Sequence, residues 1–153
     1  NFQIHFPGPG VGGPCLPVNS VQILHSANLL GNNLLRMVSL SQEINEGMAL
    51  HVIEMTSKAL QSVGKTIHNS RVLILGVSYK PNVKDIQITP AEPIIQKLKD
   101  MGVALKIYDP FFRSTSVFDI KTENNATLSI AGIPSPFNRI KYFMLEETLM
   151  QFY

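Results

Sequence analysis

The sequence predicts an α/β chain in which one long apolar helix precedes a parallel β-α-β unit. Three observations carry this. From about Leu34 to Val63, apolar residues recur at near-helical spacing and no proline interrupts them. Val72-Leu73-Ile74-Leu75-Gly76 is a continuous apolar run ending in glycine, the pattern of a strand buried on both faces. Val103 to Tyr108 gives a second strand, and the helical pattern between the two makes them parallel through a right-handed crossover.

The bulk numbers bound the class. A chain of 153 residues with 44% hydrophobic content is globular rather than disordered. A net charge of +2, with no basic cluster, argues against nucleic acid as a partner. One cysteine excludes an internal disulfide framework and fits a reducing, cytoplasmic compartment. No apolar run approaches the roughly 20 residues that span a bilayer, so no membrane partner is expected. No metal-ligand cluster is evident in the pattern.

At the start of the chain, Phe2-Gln3-Ile4-His5-Phe6 reads as a strand. A loop follows, Pro7-Gly8-Pro9-Gly10-Val11-Gly12-Gly13-Pro14-Cys15. Glycine allows a ligand to lie on the peptide groups themselves. A helix after the loop would set its N-terminal pole beside Cys15, the setting in which cysteines act as nucleophiles. On composition alone a lone cysteine is a small buried hydrophobe, and Gly-Pro repeats are turns. The run from Gly8 to Gly13 also matches the spacing of a G-x-G-x-x-G dinucleotide fingerprint. That reading fails because Pro14 and Pro17 remove amide donors where the fingerprint needs a helix start.

Asn19 or Ser20 can cap a first helix to about Leu30, stopped by Gly31-Asn32-Asn33. His25 in that helix reads as an ordinary histidine rather than a base for Cys15. The long helix has a stripe of Met37, Leu40, Ile44, Met48, Val52, Met55, Ala59 and Val63, widened by Leu34, Val38, Leu50, Ile53 and Leu60. So much apolar surface needs cover, from a symmetry mate or from another domain. Met48 and Met55 read as packing residues. Gly64 to Ser70 marks a boundary, giving regions 1–68 and 69–153. After the first strand, Val77 to Ile88 forms a long loop at the carboxyl end of a parallel strand, where α/β folds bind ligands. Lys80 and Lys84 lie on it near a helix start, a setting suited to phosphate. Thr89-Pro90-Ala91-Glu92 reads as a capping box, Ile94, Ile95 and Leu98 as the buried face, and Gly102 as the stop. Thr122 to Ala131 reads as a short helix and Arg139 to Tyr153 as a mixed amphipathic one.

Two stretches resemble one family. Gly10-Val11-Gly12-Gly13-Pro14-Cys15-Leu16-Pro17-Val18-Asn19 is similar to the active-site segment of the UDP-glucose/GDP-mannose dehydrogenase family. Gly76 to Ala91 resembles that family's Gly-Leu-x-Tyr/Phe-Lys-Pro-x-x-x-Asp-x-Arg-x-Ser-Pro-Ala signature. Val103 to Pro110 resembles its second strand, and Glu43-Ile44-Asn45-Glu46-Gly47-Met48 its central-helix Glu-Ile-Asn-Asp-x-Met-Pro run, with Gln42 and Ala49 at its usual arginine and proline. Cys-Leu-Pro-Val is closer to the UDP-N-acetylmannosamine and UDP-N-acetylglucosamine 6-dehydrogenase branch than to the UDP-glucose branch, which usually has lysine at Val18. The resemblance covers about residues 1 to 133.

The resemblance implies a partial Rossmann-like UDP-binding domain after a central helix that pairs two subunits into a homodimer. It implies an NAD-dependent oxidation of a UDP-sugar C6 alcohol to a carboxylate. Cys15 would be the nucleophile. Gly10, Val11, Gly12, Gly13, Tyr79 and Lys80 would meet the substrate, and Gln87 would face the cofactor. The NAD domain would precede Asn1 in a longer protein, leaving this fragment without turnover. Two positions depart from the pattern. Asn19 stands where the family has an aspartate that helps activate water, and an amide cannot accept a proton. Gln87 stands where it has an arginine, exchanging a fixed charge for a neutral amide. The alternative reading is therefore an inactive remnant that dimerises and binds UDP.

Overall fold

The computed structural model describes residues 8–31, 35–68, 70–113 and 115–122, and the backbone of 142–145 and 148–151. The expected strand at Phe2–Phe6 and nearly all of the expected helix from Thr122 lie outside these residues. So does Leu34, at the start of the long helical pattern.

Helix α1 runs Leu16–Leu29. It begins earlier than the Asn19 or Ser20 start expected from capping chemistry. Cys15 is the N-cap, with Pro17 in the first turn. A proline there brings a preset φ and sacrifices a donor that the first turn leaves unpaired anyway. The Asn19 N–H already donates to the Cys15 carbonyl at 2.9 Å, so Asn19 is within the helical ladder.

Helix α2 runs Arg36–Ser62, 27 residues spanning about 40 Å. Its stripe divides in two. Val52, Ile53, Thr56 and Leu60 are buried in the C-terminal half. In the N-terminal half Met37 is 83% exposed, and Leu40 and Ile44 are exposed as well. The Thr56 hydroxyl, fully buried, donates to the Val52 carbonyl one turn back, which satisfies it without a partner outside the helix. Helix α2 ends in a Schellman turn: Gly64 N–H donates to Gln61 C=O and Lys65 N–H to Leu60 C=O. Ile67, in the link that follows, is buried in the same core.

Strand β1 (Arg71–Leu75), helix α3 (Ala91–Asp100) and strand β2 (Ala104–Tyr108) form the expected unit, with Arg71 opposite Ala104 and Leu75 opposite Tyr108 in parallel register. Ile94, Ile95 and Leu98 of α3 are fully buried, as the sequence predicts. A second Schellman turn closes α3: Val103 N–H reaches Leu98 C=O and Gly102 N–H reaches Lys99 C=O. One apolar cluster joins Val52, Ile53 and Leu60 of α2, Val72 and Ile74 of β1, the α3 face, and Ile107 of β2. Strands β3 (Ser116–Val117) and β4 (Ile120–Lys121) make a small hairpin that adds Val117 to this core.

The end of the chain departs from expectation. In place of a helix over 139–153, β5 (Tyr142–Leu145) and β6 (Thr148–Gln151) form an antiparallel hairpin. β5 pairs antiparallel with β1, giving a four-stranded sheet of order β2-β1-β5-β6. The sheet is therefore mixed rather than purely parallel. Tyr142-Phe143-Met144-Leu145 combines aromatic and apolar residues that suit a strand, and β1 would otherwise present an open edge to solvent.

Candidate functional site

The glycine loop and the loop after β1, far apart in sequence, meet in space. The Gly13 N–H donates to the Gln87 carbonyl at 3.1 Å, bringing the glycine loop onto the loop that follows β1. The glycines are what let the two come so close. A Cβ on Gly13 would lie 2.6 Å from the Tyr79 ring, and Gly13 has φ +88. A Cβ on Gly12 would press into the Ile88 carbonyl oxygen and lie 2.8 Å from Pro90 Cδ. Loop-on-loop packing thus accounts for these glycines within the chain itself, and it absorbs the Tyr79 ring.

On the other side the glycine loop is tied to α2. The Val11 N–H donates to Asn45 Oδ1 at 2.7 Å, and Asn45 Nδ2 donates to the Val11 carbonyl at 3.0 Å. Cys15, at the mouth of α1 immediately after this loop, is exposed. This sets aside the composition-only reading of a buried hydrophobe: Pro14 ends the packed part of the loop, and Cys15 at the helix N-cap is exposed. Asn19 lies one turn further along α1 and is exposed. His25 is ten residues beyond Cys15 on the same helix, about 15 Å away, too far to act as its base.

The loop after β1 is held by its own polar network. Val77 is fully buried; its N–H donates to Asp109 Oδ2 at 2.9 Å, and its carbonyl accepts from Thr89 Oγ1 at 2.7 Å. Asp109 Oδ1 also accepts the Phe111 N–H. Sequence reasoning gave Asp109 no role beyond its place in the Val103 to Pro110 stretch. Its position beside Gly76 at the carboxyl ends of paired parallel strands was the available signal. Asp85 Oδ1 accepts the Gln87 N–H, and Tyr79 N–H reaches the Asp85 carbonyl at 3.3 Å. Asn82 and Ile88 both sit at positive φ, +59 and +48. For a β-branched residue such as Ile88 that conformation is strained, and it sits where the two loops touch.

The start of α3 is poorer in donors than the capping-box pattern predicts. Pro90 and Pro93 have no N–H. The Ala91 N–H goes to Thr89 Oγ1 and the Glu92 N–H to the Thr89 carbonyl. The Thr89 N–H donates to the Ile86 carbonyl, so the reciprocal bond from Glu92 is not what caps this helix. Of the two lysines on the loop, Lys84 lies over the Phe112 ring at 5.7 Å from its centroid, while Lys80 is exposed. An anion here would rest on Lys80 more than on helix-start amides. Ser78 Oγ is buried with no hydrogen-bond partner among the described residues.

The dinucleotide fingerprint spacing of Gly8 to Gly13 does no such work. The Val11 and Gly13 amides are both spent within the chain, and Pro14 and Pro17 flank the helix start. These residues do not fit NAD. No group of three or more His, Cys, Asp or Glu could hold a metal ion among the described residues. No helix among them is long and apolar enough to cross a membrane.

One substitution tests the loop contact. Gly12→Ala is expected to cost about 1–3 kcal/mol, because a methyl group meets a backbone carbonyl that cannot rotate away. Urea unfolding of the variant beside the parent chain reads this directly.

Residues 73–134 match the family model for the UDP-glucose/GDP-mannose dehydrogenase family, UDP binding domain. A UDP-N-acetyl-D-mannosamine dehydrogenase of Methanocaldococcus jannaschii is 35% identical over 108 residues, 70% of this chain and 23% of that protein. A UDP-glucose 6-dehydrogenase of Rhizobium meliloti is 30% identical over 103 residues, 67% of this chain and 23% of that protein. The chain thus spans about a quarter of the length of these curated relatives. Among solved structures, a UDP-N-acetyl-mannosamine dehydrogenase from Staphylococcus aureus is 27% identical with a TM-score of 0.58, covering 81% of this chain and 27% of that one. An NDP-N-acetyl-D-galactosaminuronic acid dehydrogenase from Methanosarcina mazei Go1 has a TM-score of 0.63 at 22% identity, covering 86% of this chain and 27% of that one, and shares the fold.

Proposed function

Through residues 73–134 the chain belongs to the UDP-glucose/GDP-mannose dehydrogenase family, and from that premise we propose that it is the central and partial C-terminal portion of a UDP-sugar 6-dehydrogenase. The substrate class is a UDP-linked hexose, with UDP-N-acetylmannosamine favoured by the Cys-Leu-Pro-Val run and by the relatives that carry that name. The observation that carries the proposal is the meeting of the two motifs. The glycine loop, which the exposed Cys15 follows, is held through its Gly13 N–H against the loop that bears Tyr79, Lys80 and Gln87.

The covalent step belongs to this chain. Cys15 Sγ adds to the C6 aldehyde carbon of the half-oxidised sugar, and the carbonyl oxygen takes up a proton, giving a thiohemiacetal. Oxidation of that adduct leaves a thioester, which water cleaves to the carboxylate and the free thiol. NAD would supply the oxidant for that step, as the hydride acceptor. The loop from Gly10 to Gly12 would lie under the sugar by contact rather than by hydrogen bonds, since the Val11 and Gly13 backbone groups are taken within the chain, and Lys80 offers a cation to the diphosphate. Asn19, near the thiol, can orient water through its carboxamide but takes no proton from it. Gln87 offers a neutral amide toward the cofactor. The exposed N-terminal half of α2 is the face through which two copies pair.

The complete polypeptide, incubated with UDP-N-acetylmannosamine and NAD, is expected to yield the uronic acid by mass spectrometry, whereas residues 1–153 alone yield none. The remnant reading predicts no product from either. It would be favoured by activity that appears only after Asn19→Asp and Gln87→Arg.

A further inference from the structure

We propose that Asn45, on the long helix, is a positioning residue that fixes the cysteine loop. The inference builds on the reading of Cys15 as the nucleophile. Asn45 pairs with the Val11 peptide across 34 residues of sequence, accepting its N–H at 2.7 Å and donating to its carbonyl at 3.0 Å. Both polar groups of the Val11 backbone are engaged by one side chain. Asn and Gln carboxamides present a donor and an acceptor side by side, as a peptide does. Aspartate keeps the acceptor and loses the donor. Glutamine carries one more methylene, which would push Val11 outward.

The pairing matters because of where it falls. Two residues on, the Gly13 N–H is held by the Gln87 carbonyl. The loop is therefore pinned on one side to α2 and on the other to the loop after β1, with Gly12 between the pins. Cys15 comes two residues after the second pin. Val11 itself is half exposed and packs little, at 52% exposure, so hydrophobic burial does not hold this part of the loop. The two hydrogen bonds from Asn45 do. The loop that leads into Cys15 is thus held in part from α2.

The test uses residues 1–153 as they stand and exploits the single cysteine. Amide hydrogen exchange is followed at Val11 and Gly13, and a nitroxide on Cys15 reports loop motion. Asn45→Ala is expected to raise exchange at Val11 about tenfold, the loss of hydrogen bonds of ordinary strength, and to make the nitroxide visibly more mobile. Asn45→Asp is expected to split the two readouts: Val11 N–H stays protected by the retained acceptor, while the nitroxide loosens because the donor is gone. General destabilisation of the fold cannot produce that split. Exchange and mobility within twofold of the parent in a folded Asn45→Ala would overturn the proposal. Should that variant fail to fold, Asn45→Asp decides alone, and parental mobility of its nitroxide would be the overturning result. Neither readout involves substrate or NAD, so a failed clamp leaves the dehydrogenase reading standing, and absent turnover leaves the clamp standing.

Discussion

Cys15→Ser in the complete polypeptide is expected to reduce uronic acid formation by at least about a thousandfold, the scale on which removal of a covalent nucleophile acts. The hydroxyl is a far weaker nucleophile than a thiolate at neutral pH, and the ester it would form is a poorer acyl donor to water than a thioester. The substitution removes little else. Cys15 is exposed at the mouth of α1, and its carbonyl, which receives the Asn19 N–H, is unchanged by the side chain. Substrate affinity should therefore stay within about threefold, which separates a chemical defect from a folding defect. Titration with the UDP-sugar by calorimetry supplies the affinity, and mass spectrometry supplies the product. Retention of the parental rate by the serine enzyme would remove Cys15 from the chemistry. The glycine loop would then be left with only the packing role that Gly12 and Gly13 visibly have against Tyr79 and Ile88.

Much of the fold is legible in the sequence because local signals and tertiary demands agree there. The apolar run of β1, the Ile94, Ile95 and Leu98 face of α3, the end of the long helix near Val63 and Gly102 as the stop of α3 all appear where the pattern puts them. Each is fixed by short-range chemistry that the final packing does not oppose. The start of α1 is different. Asn19 and Ser20 are good caps, but Pro17 is a better first-turn residue, and the helix takes the earlier start. The tail is misread for a related reason: Leu145, Leu149 and Met150 fit a helical stripe, yet β1 has a free edge, and pairing with it decides the conformation of 142–145. The site shows the same division. Its loops and Cys15 stand out by composition, whereas the Asn45 clamp and the Asp109 anchor do not. Those two are single polar residues acting across 34 and 32 residues of sequence, and no periodicity or spacing rule marks such a pair.

The long helix carries the second large expected effect. Leu60→Ala should destabilise the chain by about 2–5 kcal/mol, the cost of a cavity in a packed core. Leu60 is 1% exposed and shares one cluster with β1, α3 and β2. Against a total stability of about 5–15 kcal/mol, this removes a large fraction. Leu40→Ala, on the exposed N-terminal half of the same helix, should change stability by no more than about 0.5 kcal/mol in the monomeric chain. The contrast bears on the division proposed at residue 68. If 1–68 and 69–153 unfold independently, Leu60→Ala lowers one of two urea transitions and spares the other. If α2 is integral to the sheet's core, as the shared cluster indicates, one transition moves as a whole, with its slope unchanged. In that case residue 68 is not a folding boundary: the half of α2 that carries Met37 and Leu40 stays exposed, and the half that carries Leu60 holds the sheet and α3 together.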